Sequence, residues 1–419
     1  MDKQSLIIIG AGAAGLMSAR TLSGKYNITI LEASSSSGGR IRSKQLSHSS
    51  KIIEAGPEFI HGHQKLTLQL LKEAGISYVA VEGKMYRKDM NQLVEQTEMI
   101  EGWDQLLKQM KKVKTDMTMR DFLDQYFGEE KHADLRRYAT NYTEGFDLAD
   151  VNKASVQSLY KEWSNEEEEN FRIPSGYSSL INFLKEDIEK KGVRILTNHI
   201  ARQIDWEPNN ITVYTANEQK FYAEKIIITI PVSILRKAGD KSSINFTPPL
   251  DNYIKAAGDI GAGNVVKVSL LFHLRFWKED AGFIFSDEIF PTWWTQLPDT
   301  IPLLTGWAGG IKAKEMSDQT DKEILEKAIL SLASIFTITP QEVKNNLKES
   351  FVFNWKQEQG IEMAYTYSTL ATSSARKLLD TSIDNTIFFA GEALYDGASP
   401  GTVEAALVSG KKVAEMILD

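Results

Sequence analysis

Three glycines near the N-terminus have the spacing of a turn that binds a dinucleotide. Gly10, Gly12 and Gly15 follow directly on an apolar run at residues 6–9, which predicts a buried strand. Glycine lets the backbone approach a pyrophosphate, and the helix expected from about Ala14 onward directs its unpaired N–H groups at the phosphates. This spacing therefore indicates a site for a phosphate-containing cofactor.

An acidic residue completes the same unit. Glu32 follows a second apolar run, at residues 28–31, about twenty residues after the glycines. A carboxylate in this place accepts hydrogen bonds from ribose hydroxyls in dinucleotide-binding βαβ units. A glycine-rich turn alone is common, but here strand, glycines, helix, second strand and acid occur in order. The segment therefore predicts a cofactor of the NAD or FAD class.

Four later segments distinguish between these two cofactors, and they are Gly38-Gly39-Arg40, Gly56-Pro57-Glu58-Phe59, Phe389-Ala390-Gly391-Glu392 and Gly401-Thr402-Val403-Glu404. In their order and spacing they resemble the flavin-containing amine oxidases, the family of monoamine and polyamine oxidases. The resemblance runs the length of the chain and implies FAD as the cofactor.

The resemblance also assigns the surroundings of the cofactor. The Gly-Gly-Arg segment would pack on the diphosphate and the flavin, the Gly-Pro turn would pass beside the isoalloxazine ring, and the late Gly-Glu pair would hold the ribityl and phosphate end. The residues expected to contact FAD are Gly10, Gly12, Ala14, Gly15, Glu32, Gly39, Arg40, Gly56, Pro57, Glu58, Phe59, Ile200, Gly391, Glu392, Thr402 and Val403. Ala364 stands where monoamine oxidases that tether their flavin carry a cysteine, so we expect FAD to bind non-covalently.

The composition narrows the classes of function. The chain has 419 residues, of which 42% are hydrophobic, and a formal net charge of −8, which argues against a nucleic-acid surface and is compatible with cationic amines. It contains no cysteine, which excludes disulfides, a thiolate nucleophile and cysteine-based metal sites. No run of about 20 apolar residues is present, so we expect no membrane span and a cytoplasmic protein.

The order of the segments predicts two interleaved domains in an α/β fold. A Rossmann-like FAD-binding domain is expected to be discontinuous, over residues 1–80, 195–255 and 380–419. An α+β substrate-binding domain, a mixed sheet with helices, is expected over residues 81–194 and 256–379. The first of these two stretches has apolar residues at helical spacing, which predicts a helical insertion.

Lys267 is the main candidate for catalysis. It interrupts a strand at residues 264–272 that is otherwise mostly apolar, and a buried lysine is costly unless its charge is used. Alternation along the strand leaves open the alternative that Lys267 faces solvent or lies at a sheet edge. The resemblance favours catalysis, because the family's lysine at this place holds a water against the flavin nitrogen that receives hydride.

Aromatic residues could form the walls of the substrate site. Trp355 and Tyr365 match the family's pattern of a tryptophan near the ring and a tyrosine that faces the substrate, although without the resemblance ordinary packing in a core would be the favoured explanation of both. The second ring of the monoamine-oxidase site would align at Thr402, which is not aromatic. Three further tryptophans, Trp293, Trp294 and Trp307, either line the cavity or fill a core.

The residues around the Gly-Pro turn offer polar groups for a substrate. His61 could bind the substrate nitrogen or support a loop, and Glu58 could pair with an ammonium. His61 and His63 have no third ligand at a suitable spacing, so we expect no metal site.

The function expected from this resemblance is amine oxidation. Hydride would pass from the carbon next to a neutral amine nitrogen to the flavin, the imine would hydrolyse, and O2 would reoxidise the flavin to give hydrogen peroxide. Three alternatives stay open: an L-amino-acid oxidase, for which Arg172 or Arg275 could clamp the carboxylate, a flavin desaturase or porphyrinogen-type oxidase, and a flavin-binding protein without turnover.

Overall fold

A five-stranded parallel sheet forms the centre of the cofactor-binding half. The computed structural model describes residues 3–47, 49–96, 102–165, 167, 169–237 and 243–419. The strands of this sheet, in spatial order, are Arg194–Leu196, Tyr26–Leu31, Gln4–Ile9, Lys225–Ile228 and Ile387–Phe389. Their isoleucine-rich runs are buried on both faces, as expected for a parallel sheet covered on both sides.

One face of the parallel sheet is covered by helices Ala13–Leu22, Ser178–Lys190 and Val403–Leu418. The first and last of these approach closely at Gly410, where a Cβ atom would lie 2.2 Å from the carbonyl oxygen of Ala14. The C-terminal helix therefore packs directly on the helix that follows the glycine turn.

The opposite face packs against helices and a second sheet. Helices Asp251–Asp259 and Thr372–Leu379 contribute to this core. The second sheet has four strands, in the order Lys220–Ala223, Asn210–Thr215, Ala201–Glu207 and Asn245–Thr247.

A seven-stranded mixed sheet carries the central lysine of the sequence. Its strands, in spatial order, are Leu347–Asn354, Val265–Phe272, Leu303–Gly309, Thr292–Trp294, Ala281–Phe285, Lys84–Asp89 and Gln92–Gln96. Helix Asp321–Phe336 packs on it and begins with a capping box, in which the Thr320 hydroxyl accepts from the Glu323 N–H and the Glu323 carboxylate accepts from the Thr320 N–H.

The prediction of helix throughout residues 81–194 is wrong at its start. Residues 84–96 form a hairpin of two strands that extends the seven-stranded sheet, because Tyr86 packs into its core. Helices follow as predicted, and their facing apolar residues form a separate core. These helices are Trp103–Met110, Met119–Phe127, Ala133–Gly145 and Val156–Trp163.

Short elements complete the fold. The remaining strands pair as Ser43–Gln45 with Ile52–Glu54, as Gly261–Ala262 with Thr366–Tyr367, and as Phe59–His61 and Val79–Ala80 on either side of Asn170–Arg172. The remaining helices are Lys65–Ala74, Val232–Leu235, Gly310–Glu315 and Pro340–Asn346, with 3-10 turns at Glu130–His132 and Glu392–Leu394.

The predicted fold class is confirmed: a parallel dinucleotide-binding sheet is combined with a mixed sheet and helices. The division into two interleaved domains with the stated boundaries stays a prediction. Among the described residues, no helix combines the length and the apolar character needed to cross a bilayer.

Candidate functional site

The glycine turn lies at the carboxyl end of the parallel sheet, beside open space that we refer to as the cleft. Gly10 has a φ of +104°, and a Cβ atom on Gly15 would lie 2.1 Å from the carbonyl oxygen of Gly10, so the turn is too tight for side chains at either position. A Cβ atom on Gly12 or Gly391 would meet nothing within 4 Å. These two glycines therefore face a cradle in which a side chain would displace a ligand, and the residues present fit a dinucleotide cofactor.

Glu32 and Ile200 lie together beyond the glycine turn. The buried Glu32 carboxylate accepts hydrogen bonds from the Ala11 and Ser34 N–H groups, both at 2.7 Å. Each carboxylate oxygen keeps a lone pair for a ribose hydroxyl. The N–H of His199, the residue before Ile200, donates to the carbonyl of Glu32. This arrangement agrees with contacts at the ribose end of a dinucleotide.

An ion pair joins the first and last cofactor segments. Arg40 Nη1 lies 2.9 Å from Glu392 Oε1 and donates to the carbonyl oxygen of Ala364 at 2.6 Å. The other Glu392 oxygen accepts from the Thr366 hydroxyl at 2.7 Å. Residues that are more than 300 positions apart in the chain thus meet at one wall of the cleft. Gly39 lies beside Gly12, with its ideal Cβ position 3.6 Å from the Gly12 Cα.

The Gly-Pro turn packs between Arg40 and Trp355. A Cβ atom on Gly56 would lie 2.0 Å from the Arg40 carbonyl oxygen, so the close contact requires glycine. The indole N–H of the buried Trp355 donates to the Ala55 carbonyl at 3.1 Å. Trp355 therefore supports the turn from behind, with Pro57 half-buried at its end.

Lys267 lies in the interior beside this turn. All eight residues of strand Val265–Phe272 are buried, and Lys267 is 1% exposed, so the alternative of a solvent-facing lysine is wrong. Its Nζ lies 2.8 Å from Glu58 Oε2 and 3.2 Å from the Gly56 carbonyl oxygen. It also lies 5.4 Å from the ring centre of Trp294. The lysine therefore contacts the segment that the resemblance places beside the isoalloxazine ring.

Glu58 is fully engaged by neighbouring side chains. Its Oε1 accepts from Trp294 Nε1 at 2.8 Å and lies 3.2 Å from Arg172 Nε. Burial alone would raise the pKa of Glu58, but Lys267 and Arg172 lower it to about 2. The expectation that Glu58 itself pairs with a substrate ammonium is therefore replaced by a structural ion pair. Phe59 packs against the same group, with its ring beneath the Arg172 guanidinium.

The two arginines considered as carboxylate clamps are occupied elsewhere. Arg172 donates to the carbonyl oxygens of Thr295 and Leu297, in addition to its ion pair with Glu58. Arg275 donates to the Thr300 carbonyl near the surface. Neither is therefore available to bind an amino-acid carboxylate.

Glu54 is a second buried carboxyl group near Lys267. The Ser43 hydroxyl lies 2.9 Å from both of its oxygens, and the Tyr177 N–H donates to it at 2.7 Å. Burial raises the pKa of Glu54 to about 7, against the lowering effects of these hydrogen bonds and of Lys267. Glu54 therefore titrates near neutral pH in the folded protein.

We expect a Glu54→Gln variant to lose part of the pH dependence of stability. The folded protein keeps a proton on Glu54 that the unfolded chain releases above its ordinary pKa of 4.5, so stability falls as the pH rises from there to about 7. The free energy of unfolding attributable to this group falls by at most about 3 kcal/mol over that interval. Urea unfolding of wild type and variant at about pH 5 and about pH 8 measures this decrease in the free energy of unfolding. Equal declines in wild type and variant would contradict the shift.

Tyr365 and Trp307 form a pair of nearly parallel rings. Their centroids are 6.4 Å apart with an interplanar angle of 26°, and Trp294 lies 6.1 Å from Trp307 on its other side. The Tyr365 hydroxyl donates to the Phe146 carbonyl, and the Trp307 indole N–H donates to the Gly145 carbonyl at 2.9 Å. Both rings are thus held in place by polar contacts at their edges.

Sequence reasoning did not identify Trp307 as the partner of Tyr365. The observation that brings Trp307 to the site is the strand register, because Trp307 pairs directly with Lys267 on the neighbouring strand. The three tryptophans separate accordingly. Trp294 and Trp307 lie at the site, whereas Trp293 is fully buried in the core of the seven-stranded sheet.

Thr402 caps helix Val403–Leu418, because its hydroxyl accepts from the Ala405 N–H.

The two histidines have separate environments. His61 Nδ1 hydrogen-bonds to Asn170 Oδ1 at 2.7 Å, its ring packs edge-on against Phe146, and burial lowers its pKa. His63 is exposed and pairs with Glu167. Within the described ranges, no three His, Asp or Glu side chains come together as metal ligands.

A cavity next to Tyr365 was not predicted from the sequence. Its charged lining consists of Asp147, Glu162, Asp396, Lys161 and Arg376. Burial raises the pKa of Tyr365 strongly, and the nearby carboxylates raise it further. The Arg376 guanidinium donates to Ala393 and Ser368, while its Nη2 has no hydrogen-bond partner among the residues described.

A family model described as flavin containing amine oxidoreductase matches residues 13–418 of the chain. Lysine-specific histone demethylase 1B of Mus musculus is 26% identical over 461 residues, covering 99% of this chain and 53% of the demethylase. Polyamine oxidase 2 of Arabidopsis thaliana is 25% identical, covering 98% of this chain and 87% of that protein. The chain thus spans about half the length of the demethylase.

Solved structures share the fold at lower identity. Putrescine oxidase with bound putrescine superposes with a TM-score of 0.81 at 18% identity, covering 100% of this chain and 99% of that one. Cyclohexylamine oxidase from Brevibacterium oxydans IH-35A gives a TM-score of 0.80 at 18% identity, covering 99% of both chains. These structural similarities support the fold described above.

Proposed function

The chain belongs to the flavin containing amine oxidoreductase family, and on that premise we propose that it is an FAD-dependent amine oxidase. The chemistry that FAD supplies when bound is acceptance of a hydride from the carbon next to the amine nitrogen and return of the two electrons to O2 as hydrogen peroxide. The imine left by the substrate hydrolyses to a carbonyl compound and ammonia or a smaller amine. The observation that carries the proposal is the buried Lys267 against the Gly56 turn, beside a cleft that Gly12 and Gly391 leave open.

FAD would bind non-covalently in this cleft. Glu32 would accept from the ribose, the N-terminus of helix Ala13–Leu22 would face the diphosphate, and the Arg40–Glu392 pair would hold the flavin end. Ala364 offers no side-chain nucleophile for a tether. We retain the two interleaved domains as part of the proposal, with the cofactor between them.

The chain's own contribution to the reaction is to orient the amine and to exclude water. Trp307 and Tyr365 would flank the approach of a neutral amine, and their hydrogen-bonded edges keep the rings in place. Lys267 would place a charged N–H group at the water beside the hydride acceptor. His61, which burial keeps mainly neutral, would line the same approach.

We infer that the preferred amines carry a second positive charge. The three carboxylates that line the cavity next to Tyr365, those of Asp147, Glu162 and Asp396, outnumber its two cations, Lys161 and Arg376, and the formal net charge of the chain is −8. Carboxylates around a concave site raise the local concentration of cations. Diamines and polyamines have this chemistry, and so does a methylated lysine in a peptide that carries further basic side chains.

A second candidate is an L-amino-acid oxidase, because Arg376 lies in the same cavity. Its Nη2 could donate a charge-assisted hydrogen bond to a substrate carboxylate. The desaturase alternative receives less support, since this charged lining offers an apolar substrate no favourable contact.

Peroxide release from a substrate panel tests the proposal. The purified protein should be yellow and should release peroxide with putrescine, spermidine or a methyl-lysine peptide faster than with benzylamine or L-amino acids. Turnover of L-amino acids alone, lost in Arg376→Met, would favour the second candidate. A bound, photoreducible flavin with no peroxide from any of these compounds would indicate a flavin-binding protein without turnover.

A further inference from the structure

We propose that Glu58 is a positioning residue that keeps Lys267 in its ammonium form and fixes the ammonium against the Gly56 turn. The proposal rests on the proposed function only in placing a flavin beside that turn. Glu58 does not contact substrate in this role, but it would determine whether a positive charge faces the cofactor.

The hydrogen bonds around Glu58 hold both of its oxygens. Oε2 accepts from Lys267 at 2.8 Å, while Oε1 accepts from Trp294 at 2.8 Å and from Gln296 at 3.3 Å. Arg172 Nε lies 3.2 Å from Oε1. Because both oxygens are held, the carboxylate cannot rotate away from the lysine. Lys267 uses two of its three N–H donors on Glu58 and Gly56, which leaves one for a group in the cleft.

The charges of this cluster do not cancel. Two cations, Lys267 and Arg172, share one carboxylate, and the side chains of Lys267, Glu58 and Arg172 are only 1%, 8% and 10% exposed. Removing the carboxylate would leave two buried cations, which is strongly unfavourable. Arginine keeps its proton in proteins, whereas lysine loses its proton readily when buried. Lys267 is therefore the group that would become neutral.

One further titratable group faces Lys267. Glu54 lies close enough for Lys267 to lower its pKa, and the Trp294 ring covers another side of the ammonium. Any pH effect assigned to Lys267 must therefore be separated from titration of Glu54. A variant that keeps Glu54 but lacks Lys267 makes this separation.

The test compares Glu58→Gln, Lys267→Met and the double variant with wild type, all loaded with FAD. The visible absorption of the bound flavin is titrated from about pH 6 to about pH 11, which spans the ordinary pKa values of histidine and lysine. Lys267→Met reports any spectral step that comes from Glu54, and beyond that step we expect a further one with rising pH in Glu58→Gln that is absent in wild type and in the double variant. Glu288→Gln is the control, since it removes the carboxylate partner of Lys88 elsewhere in the same sheet.

Two further readouts accompany the titration. Above the pH of the step, anaerobic reduction of Glu58→Gln by an amine should be about 10- to 100-fold slower than that of wild type, because the charge of a donor at the reacting centre is lost while the donor itself remains. In urea, the double variant should unfold at a higher concentration than Glu58→Gln, because it no longer buries an unpaired ammonium. If Glu58→Gln does not fold, the double variant should still fold.

The outcomes separate the two proposals. A spectrum and a reduction rate of Glu58→Gln that match wild type over the whole range would overturn the role of Glu58, as would a step in the double variant that Lys267→Met lacks. A wild-type flavin that no amine reduces would instead contradict the proposed function, and the spectral titration would still report the charge on Lys267.

Discussion

A Lys267→Met variant should bind flavin as the wild-type protein does and oxidise amines at least about 100-fold more slowly, the usual effect of removing one hydrogen-bond donor fixed at a reacting centre. Methionine keeps the length of the side chain and most of its packing in strand Val265–Phe272, so the fold should persist. What is lost is the charged donor beside the Gly56 turn. Anaerobic stopped-flow reduction, followed by mixing with O2, identifies which half-reaction slows.

Lys88→Met is the matched control. Lys88 lies in the same seven-stranded sheet and pairs with Glu288 at 2.9 Å, so the replacement removes a lysine ion pair of similar length far from the cleft. Its rates of flavin reduction and reoxidation should equal those of wild type. Normal turnover by Lys267→Met would refute the catalytic role assigned to Lys267.

A Gly12→Val variant should fold normally and be colourless. Gly12 has a φ of −77° and a ψ of −179°, which valine adopts without strain, and a Cβ atom there meets nothing within 4 Å. The side chain would instead fill the space that we assign to the pyrophosphate. An overpacking cost of about 3 kcal/mol would weaken FAD binding by at least about 100-fold. Flavin content and a fluorescence titration with FAD measure the loss.

Gly24→Val provides the comparison, because its Cβ position is also open but lies in the turn after helix Ala13–Leu22. That variant should keep its flavin. Urea unfolding of the flavin-free forms should give similar midpoints for Gly12→Val and wild type. A yellow Gly12→Val protein with wild-type affinity would place the cofactor elsewhere.

The two experiments test different parts of the site. Gly12→Val tests whether the cleft holds the cofactor, and Lys267→Met tests whether the buried lysine acts on the reaction. Loss of flavin in both variants would show that Lys267 supports binding rather than turnover. Because Glu58 holds Lys267 through a direct ion pair, the Glu58 variants then report the charge of the lysine rather than its presence.

Most of the elements that form the candidate cofactor site were predictable because the information that specifies them is local. The spacing of Gly10, Gly12 and Gly15, the apolar runs before and after them, and Glu32 specify a strand, a turn and a helix within about thirty residues. The apolar run at residues 264–272 also identified the strand that carries Lys267. Periodicity did not predict the hairpin at residues 84–96, since two short strands become stable only when they join a larger sheet.

What the amino-acid sequence determined by itself is the cofactor-binding unit, the family and the identity of a lysine whose charge required an explanation. Only the tertiary structure decided that Lys267 is buried, that Lys267 and Arg172 share the Glu58 carboxylate, and that the Trp307 ring stacks with Tyr365. The physical reason is the separation along the chain between the residues that interact. A turn or a helix depends on neighbours in the chain, whereas ion pairs and ring contacts join residues more than 50 positions apart, and strand register sets which of them meet.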